Sequence, residues 1–216
     1  MNKPSAVAEM IRAILLSAEY KQDLTEMSSY LASIKQERPI IHCLAKYLHR
    51  RGQVFQLEAK RRDLVVDNTH VEFKLSFDCD MDRLADHLEK YRDQPLPAMW
   101  ADVAAHNLSE SWGGMPGAYK DICIKKPGIF VWVICARDLS GVSPDALTRV
   151  CWSKQQCKWS AAHPYSDRSF LQAADEYLQR LQELRPCAIF KDEIATNGDF
   201  PSTYHLRICD FSKTGA

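Results

Sequence analysis

The stretch that decides the fold runs Arg62-Asp63-Leu64-Val65-Val66-Asp67-Asn68-Thr69-His70-Val71-Glu72-Phe73-Lys74-Leu75. Arg62 to Val66 and Val71 to Leu75 are short runs rich in β-branched residues, and Asp67, Asn68, Thr69 and His70 between them are types that favour turns. A hairpin follows. With Asp67 set opposite His70, Val66 faces Val71, Val65 faces Glu72 and Asp63 faces Lys74. Alternation then gathers Leu64, Val66, Val71, Phe73 and Leu75 on an apolar core face, and Asp63, Val65, Glu72 and Lys74 on the other. A slip of one residue would bury the charges, so this parity is self-consistent.

Upstream, Val7, Met10, Ile11, Ile14 and Leu15 recur at helical spacing, and a second helical stretch begins near Leu24. Pro39, tolerated in a first helical turn but not an interior, marks a restart. The stripe Ile40, Ile41, Leu44, Tyr47 and Leu48 follows, and Gly52 stops it. Val54, Phe55 and Leu57 then alternate as a strand. Downstream, Asp78 or Asp80 can cap a helix carrying Met81, Leu84, Leu88 and Tyr91, which Pro95 and Pro97 end. Ala98 to Lys126, with Trp100, Trp112 and clustered glycines, reads as irregular, and Ile129 to Cys135 as a strand buried on both faces. A short helix after Pro144, a longer one from about Asp167 to Leu184, and strand-like alternation of Tyr204, Leu206 and Ile208 close the chain. This order predicts one mixed α/β domain.

Composition narrows the function classes. Hydrophobic residues at 46% and charged residues at 26% are ordinary for a folded globular chain, which argues against disorder and low-complexity scaffolds. Lys plus Arg and Asp plus Glu each number 28, so any polyanion must be held by a local basic patch. The longest apolar run, Ile129 to Ala136, falls far short of the ~18 residues of a membrane span. Met1 to Tyr20 carries Glu9, Arg12 and Glu19 in place of a secretory leader's pattern, and several of the eight cysteines sit inside apolar runs. The expectation is a reducing cytoplasm and no membrane partner.

In this register Asp63 and Glu72 are diagonal neighbours roughly 5–7 Å apart, with Lys74 on the same face. Two carboxylates that close repel, and a hard divalent cation, Mg²⁺ or Mn²⁺, would relieve them. The same residues also read as an exposed cross-strand ion pair beside a solvated glutamate, worth only ~0.2–1 kcal/mol.

A helix with Glu37 near its start, a strand, Asp63 on a second strand, and Glu72-Phe73-Lys74 on a third, followed by a helix and a buried strand, resembles the PD-(D/E)xK nuclease superfamily. The resemblance covers roughly residues 37–135. It implies a restriction-endonuclease-like core, a central mixed sheet flanked by helices. Residues 1–36 would form an N-terminal helical extension and residues 136–216 a C-terminal α/β extension. It also implies Asp63, Glu72 and Lys74 as catalytic residues, with Mg²⁺ held by Asp63 and Glu72 and by Glu37 as a third ligand. Lys74 would assist the attacking water, and DNA would be the substrate. Arg62 stands where a proline often precedes the Asp. His87 and Tyr91 stand four apart where some branches carry Gln and Tyr, although Tyr91 also fits the apolar stripe.

Arg50, Arg51, Lys60, Arg61 and Arg62 crowd the approaches to Asp63 and can hold phosphates; equally, they can solubilise a strand edge and complement a helix end. Lys125 and Lys126, with Trp152, Lys154, Lys158 and Trp159, could extend that surface. Cys151, Cys157 and His163, or His205 and Cys209, lack the tight spacing of structural zinc sites. The expected function is Mg²⁺-dependent phosphodiester hydrolysis by a DNA endonuclease of restriction, defence or repair type. The alternatives are an inactive nucleic-acid-binding or regulatory module on the same fold, and an assembly factor that pairs with a second copy through its N-terminal helices.

Overall fold

The computed structural model describes residues 4–30, 37–58, 62–77, 84–85, 88–105, 118–137, 169–197 and 201–212. Among these, helices α1 (Ala6–Leu15), α2 (Ala18–Tyr30) and α3 (Glu37–Arg50) precede strands β1 (Phe55–Leu57), β2 (Leu64–Val66) and β3 (Thr69–Phe77). Next come α4 (Leu96–Ala105), a π-helical turn at Lys120–Ile124, β4 (Ile129–Arg137), α5 (Ser169–Leu184), β5 (Ala188–Thr196) and β6 (Ser202–Asp210). The strands form one mixed sheet in the order β1-β2-β3-β4-β6-β5, with β3 and β4 parallel and every other pair antiparallel. The chain is therefore α/β, with helices against both faces of a six-stranded sheet.

Alternation divides the core into two layers. One face of the sheet presents Leu64, Val66, Val71, Phe73, Val131, Val133, Tyr204 and Leu206 to the buried stripes of α1, α2 and α3. The N-terminal helices are thus committed to the core: Ile11, Ile14, Tyr20, Leu24 and Met27 are all buried in it. Ser5 caps α1 by accepting from the Ala8 amide, and the Arg12 guanidinium grips Asp192 of β5 with two bonds of 2.7 and 2.6 Å. The other face carries Phe130, Trp132 and Ile134, covered by Leu84, Leu88, Tyr91, α4, the π-helical turn and α5. β4 is accordingly buried on both sides, as its unbroken apolar sequence requires.

Pro39 falls in the first turn of α3, and Gly52, at φ 68°, supplies the left-handed residue that ends it. Three expectations need correction. Pro95 and Pro97 do not simply end a helix, because α4 starts between them; proline's fixed φ and missing N–H suit a first turn. Part of the segment expected to be irregular is consequently helical, in α4 and in the π-helical turn. β5 was not foreseen, because its central Lys191, Asp192 and Glu193 hide the strand pattern. Residues 78–83, 106–117 and 138–168 lie outside the described residues, and with them the cap at Asp78 or Asp80, the glycine cluster and the short helix after Pro144.

The hairpin register also differs. Val66 pairs with Thr69, Val65 with His70 and Leu64 with Val71, so the turn has two residues rather than four. Asp67 and Asn68 take φ of 45° and 63°, the left-handed pair of a type I′ turn, whose twist matches the strands and which Asp and Asn tolerate. A shift of two positions keeps every side chain on its expected face. It changes who meets whom: continued one step past Leu64, the ladder leads Asp63 to Glu72 rather than to Lys74.

Candidate functional site

β2 ends at Leu64, so beyond that point the edge of β3 has amide groups without a neighbouring strand. Two acids fill the gap. Asp63 Oδ2 accepts from the Phe73 amide at 2.8 Å, and Glu37 Oε2, from the first turn of α3, accepts from the Leu75 amide at 2.7 Å. Both carboxyls are thereby fixed by backbone donors beside the next side chains on β3.

Those side chains alternate. Val71, Phe73 and Leu75 point into the first core, Leu75 only partly buried, while His70, Glu72, Lys74 and Ser76 point to the opposite face. Glu72 is completely buried, at 0% exposure. Its Oε1 accepts from His70 Nε2 at 2.5 Å, and its Oε2 receives Lys125 Nζ at 2.7 Å. The same ammonium lies 2.8 Å from Asp121 Oδ1. Asp121 and Lys125, four apart, meet along a π-helical turn in which the Lys125 amide bonds back to Lys120 O at 3.0 Å. On the same strand face, Ser76 Oγ accepts from the buried Trp132 indole at 3.0 Å.

The electrostatics are those of acids held out of water. Burial, reinforced by Glu72, raises Asp63 to about 6 against the Phe73 amide's opposite pull. The Asp63 and Glu72 carboxyls are near enough to act on one another's protonation, Glu72 adding to the rise at Asp63. Burial also raises Glu72, opposed by Lys125, and Glu37, opposed by the Leu75 amide and Lys74. His70 is pushed down to about 4 by burial and by the positive charges of Arg62 and Lys125, so at neutral pH it is an uncharged ring donating to Glu72. Burial works against the charge on Lys125, but hydrogen bonds to Asp121 and Glu72 outweigh it and hold the ammonium protonated.

Asp63, Glu72 and Glu37 thus gather at the edge of β3, Lys74 is near enough to act on Glu37, and Arg62 lines the same cavity as Asp63 and Glu37. An open cavity of about 320 Å³ adjoins Asp63 and Glu37, bounded also by Arg38, His42, Glu58 and Arg62. Arg50 and Arg51 are not part of it: they lie at the far end of α3, about 20 Å from Glu37 at the rise of a helix. Arg50 rests over the Tyr47 ring, 5.4 Å from its centre. Lys60, Arg61, His87, Trp152, Lys154, Lys158 and Trp159 lie outside the described residues, as do Cys151, Cys157 and His163. Tyr91 is a core residue. His205 and Cys209, four apart along β6, are separated by about 13 Å of extended chain and cannot share one ion.

Sequence reasoning missed His70, Asp121 and Lys125 as partners of Glu72. His70 was legible in principle, two residues before Glu72 on the same strand face. Asp121 and Lys125 carried only the weak signal of an opposite-charge pair four apart.

The donor chemistry at Asp63 and Glu72, two neighbouring hard carboxyl groups, suits a divalent cation of the Mg²⁺ class. Among the described residues, no three His, Cys, Asp or Glu side chains are arranged as a ready ligand set. No family model, curated protein or solved structure matches the chain.

Proposed function

We propose that the chain is a metal-dependent nuclease of the PD-(D/E)xK kind, built on a restriction-endonuclease-like core and hydrolysing phosphodiester bonds, with DNA as its substrate. The observation that carries this reading is the meeting of the half-buried Asp63 carboxyl with the buried Glu72, on the strand face of Lys74, with an open cavity edged by arginines beside Asp63. Two acids held side by side repel, and a divalent cation serving phosphoryl chemistry would offset that repulsion.

In this reading Asp63 and Glu72 hold the cation, and Glu37 secures the strand edge beside them. Bound there, Mg²⁺ or Mn²⁺ would acidify the attacking water and neutralise charge on the leaving oxygen. Lys74 shares the face of Glu72, and among the described residues no hydrogen bond or ion pair engages it. Its ammonium is therefore available to face the charge that develops on the phosphate. Arg62 and Arg38 flank the cavity and would grip neighbouring phosphates.

The test is incubation of the purified protein with plasmid, linear and single-stranded DNA and with RNA, in Mg²⁺, Mn²⁺ or EDTA. Cleavage should require the metal, vanish in Asp63→Ala and fall by about 10²-fold or more in Lys74→Ala. One observation favours a second reading, a binding module without catalysis: both Glu72 oxygens are already engaged, by His70 and Lys125. DNA binding with no metal-dependent cleavage would establish that module and remove the enzyme.

A further inference from the structure

We infer that Lys125 is a built-in counter-cation that closes Glu72 against a divalent ion and must leave it before one binds. The inference rests on the nuclease reading above. Glu72 is wholly buried, and its two oxygens are taken, one by a neutral imidazole and the other by an ammonium. Of the two partners only Lys125 is a cation, placed 2.7 Å from Glu72 and 2.8 Å from Asp121. An ammonium bonded to Glu72 supplies the charge that a metal ion would, and its charge acts on Asp63 as well. Two cations cannot occupy that space together.

The geometry also says which group moves. Glu72 sits within β3, paired in parallel with Phe130 of β4, and has no freedom to withdraw. Lys125 sits at the end of the π-helical turn, followed by Lys126 at the left-handed φ of 51°, with 31% of its side chain exposed. It has an open route to solvent. Asp121, four residues earlier, can keep hold of the released ammonium, so Lys125 would be set aside rather than lost. His70 stays on the other oxygen and keeps Glu72 oriented.

The experiment titrates Mn²⁺, without nucleic acid, into the full chain as wild type, Lys125→Met and Lys125→Arg by calorimetry. Lys125→Met removes the competing charge at nearly constant length and should tighten Mn²⁺ binding about ten- to hundredfold, the worth of one charge-assisted hydrogen bond. Lys125→Arg keeps the charge and should stay close to wild type. Binding detectable only in Lys125→Met would support the inference most directly. Affinity unchanged or weakened in Lys125→Met, in a protein whose wild type binds Mn²⁺ and cuts DNA, overturns the counter-cation and leaves the nuclease standing. No Mn²⁺ binding by either protein overturns both. Should Lys125→Met fail to fold by circular dichroism, wild type alone decides. Acetylation of Lys125 by acetic anhydride, read by mass spectrometry against Lys46, should rise several-fold with Mn²⁺ if Lys125 is released, and stay constant if it is not.

Discussion

The two sides of β3 make opposite uses of the same backbone. Val71, Phe73 and Phe77 turn one way into an apolar layer with α1, α2 and α3, while His70, Glu72, Lys74 and Ser76 turn the other way. A strand that alternates so cleanly ordinarily leaves its polar side to water. Here His70, Glu72 and Ser76 are buried as well. The apolar side is held by area removed from water, and the buried residues of the polar side by hydrogen bonds, His70 and Lys125 to Glu72 and Trp132 to Ser76. What sets β3 apart is therefore not its pattern but the burial of most of its polar half.

Mutation should separate the two sides, most forcefully on the apolar one. Phe73→Ala should cost about 3–5 kcal/mol in chemical denaturation, because a buried ring is replaced by a cavity. A loss below about 1 kcal/mol would mean that the apolar layer is not what holds β3. On the polar side, Ser76→Ala removes the acceptor of the Trp132 indole in a dry setting and should cost about 1–3 kcal/mol, whereas Ser76→Thr, which keeps the hydroxyl, should recover part of it. Equal stability of Ser76→Ala and wild type would break the contrast between burial and matched pairing.

Asp63→Asn should do the reverse and stabilise. It ends the repulsion with Glu72 while its side-chain oxygen can still accept from the Phe73 amide, so at pH 8 without metal it should melt about 2–4 °C above wild type. A lower melting temperature would place the strain elsewhere.

A last contrast is a pair of opposed pH slopes, which partly cancel in the wild type. Asp63, raised from 3.8 to about 6, contributes stability that is full below 3.8 and lost as pH rises through about 6. His70, lowered from 6.5 to about 4, contributes stability that is full above 6.5 and lost as pH falls through about 4. Relative to wild type, His70→Gln should gain stability on acidification across this window and Asp63→Asn should lose it. Parallel curves for all three proteins in urea melts from pH 4 to 6.5 would refute the assignment.

How far the sequence carries the reader depends on whether a contact is local. The alternation of Leu64, Val66, Val71 and Phe73 marks the core face, and within the hairpin the conflict, the register, comes from a turn that Asp67 and Asn68 can close with two residues or with four. The convergence of Asp63 and Glu72 survived that change because a two-residue shift preserves parity. Lys125 and Asp121 could not be foreseen as partners of Glu72, since what brings them there is the parallel docking of β4 beside β3 and a π-helical turn without a sequence signature. α4 was hidden by prolines that serve as starters and were read as stops.

The two-residue turn at Asp67 and Asn68 also has a consequence in time. A hairpin closed by so short a loop forms within about microseconds, while pairing β3 with β4 must first draw together the whole chain between Phe77 and Ile129. In that order Asp63 and Glu72 would come face to face before Lys125 arrives, with their repulsion uncompensated at the folding barrier. Kinetic measurements should show it: Asp63→Asn should speed refolding, and Lys125→Met should mainly hasten unfolding and leave the refolding rate near that of wild type. The reverse partition would place β4 docking ahead of the hairpin.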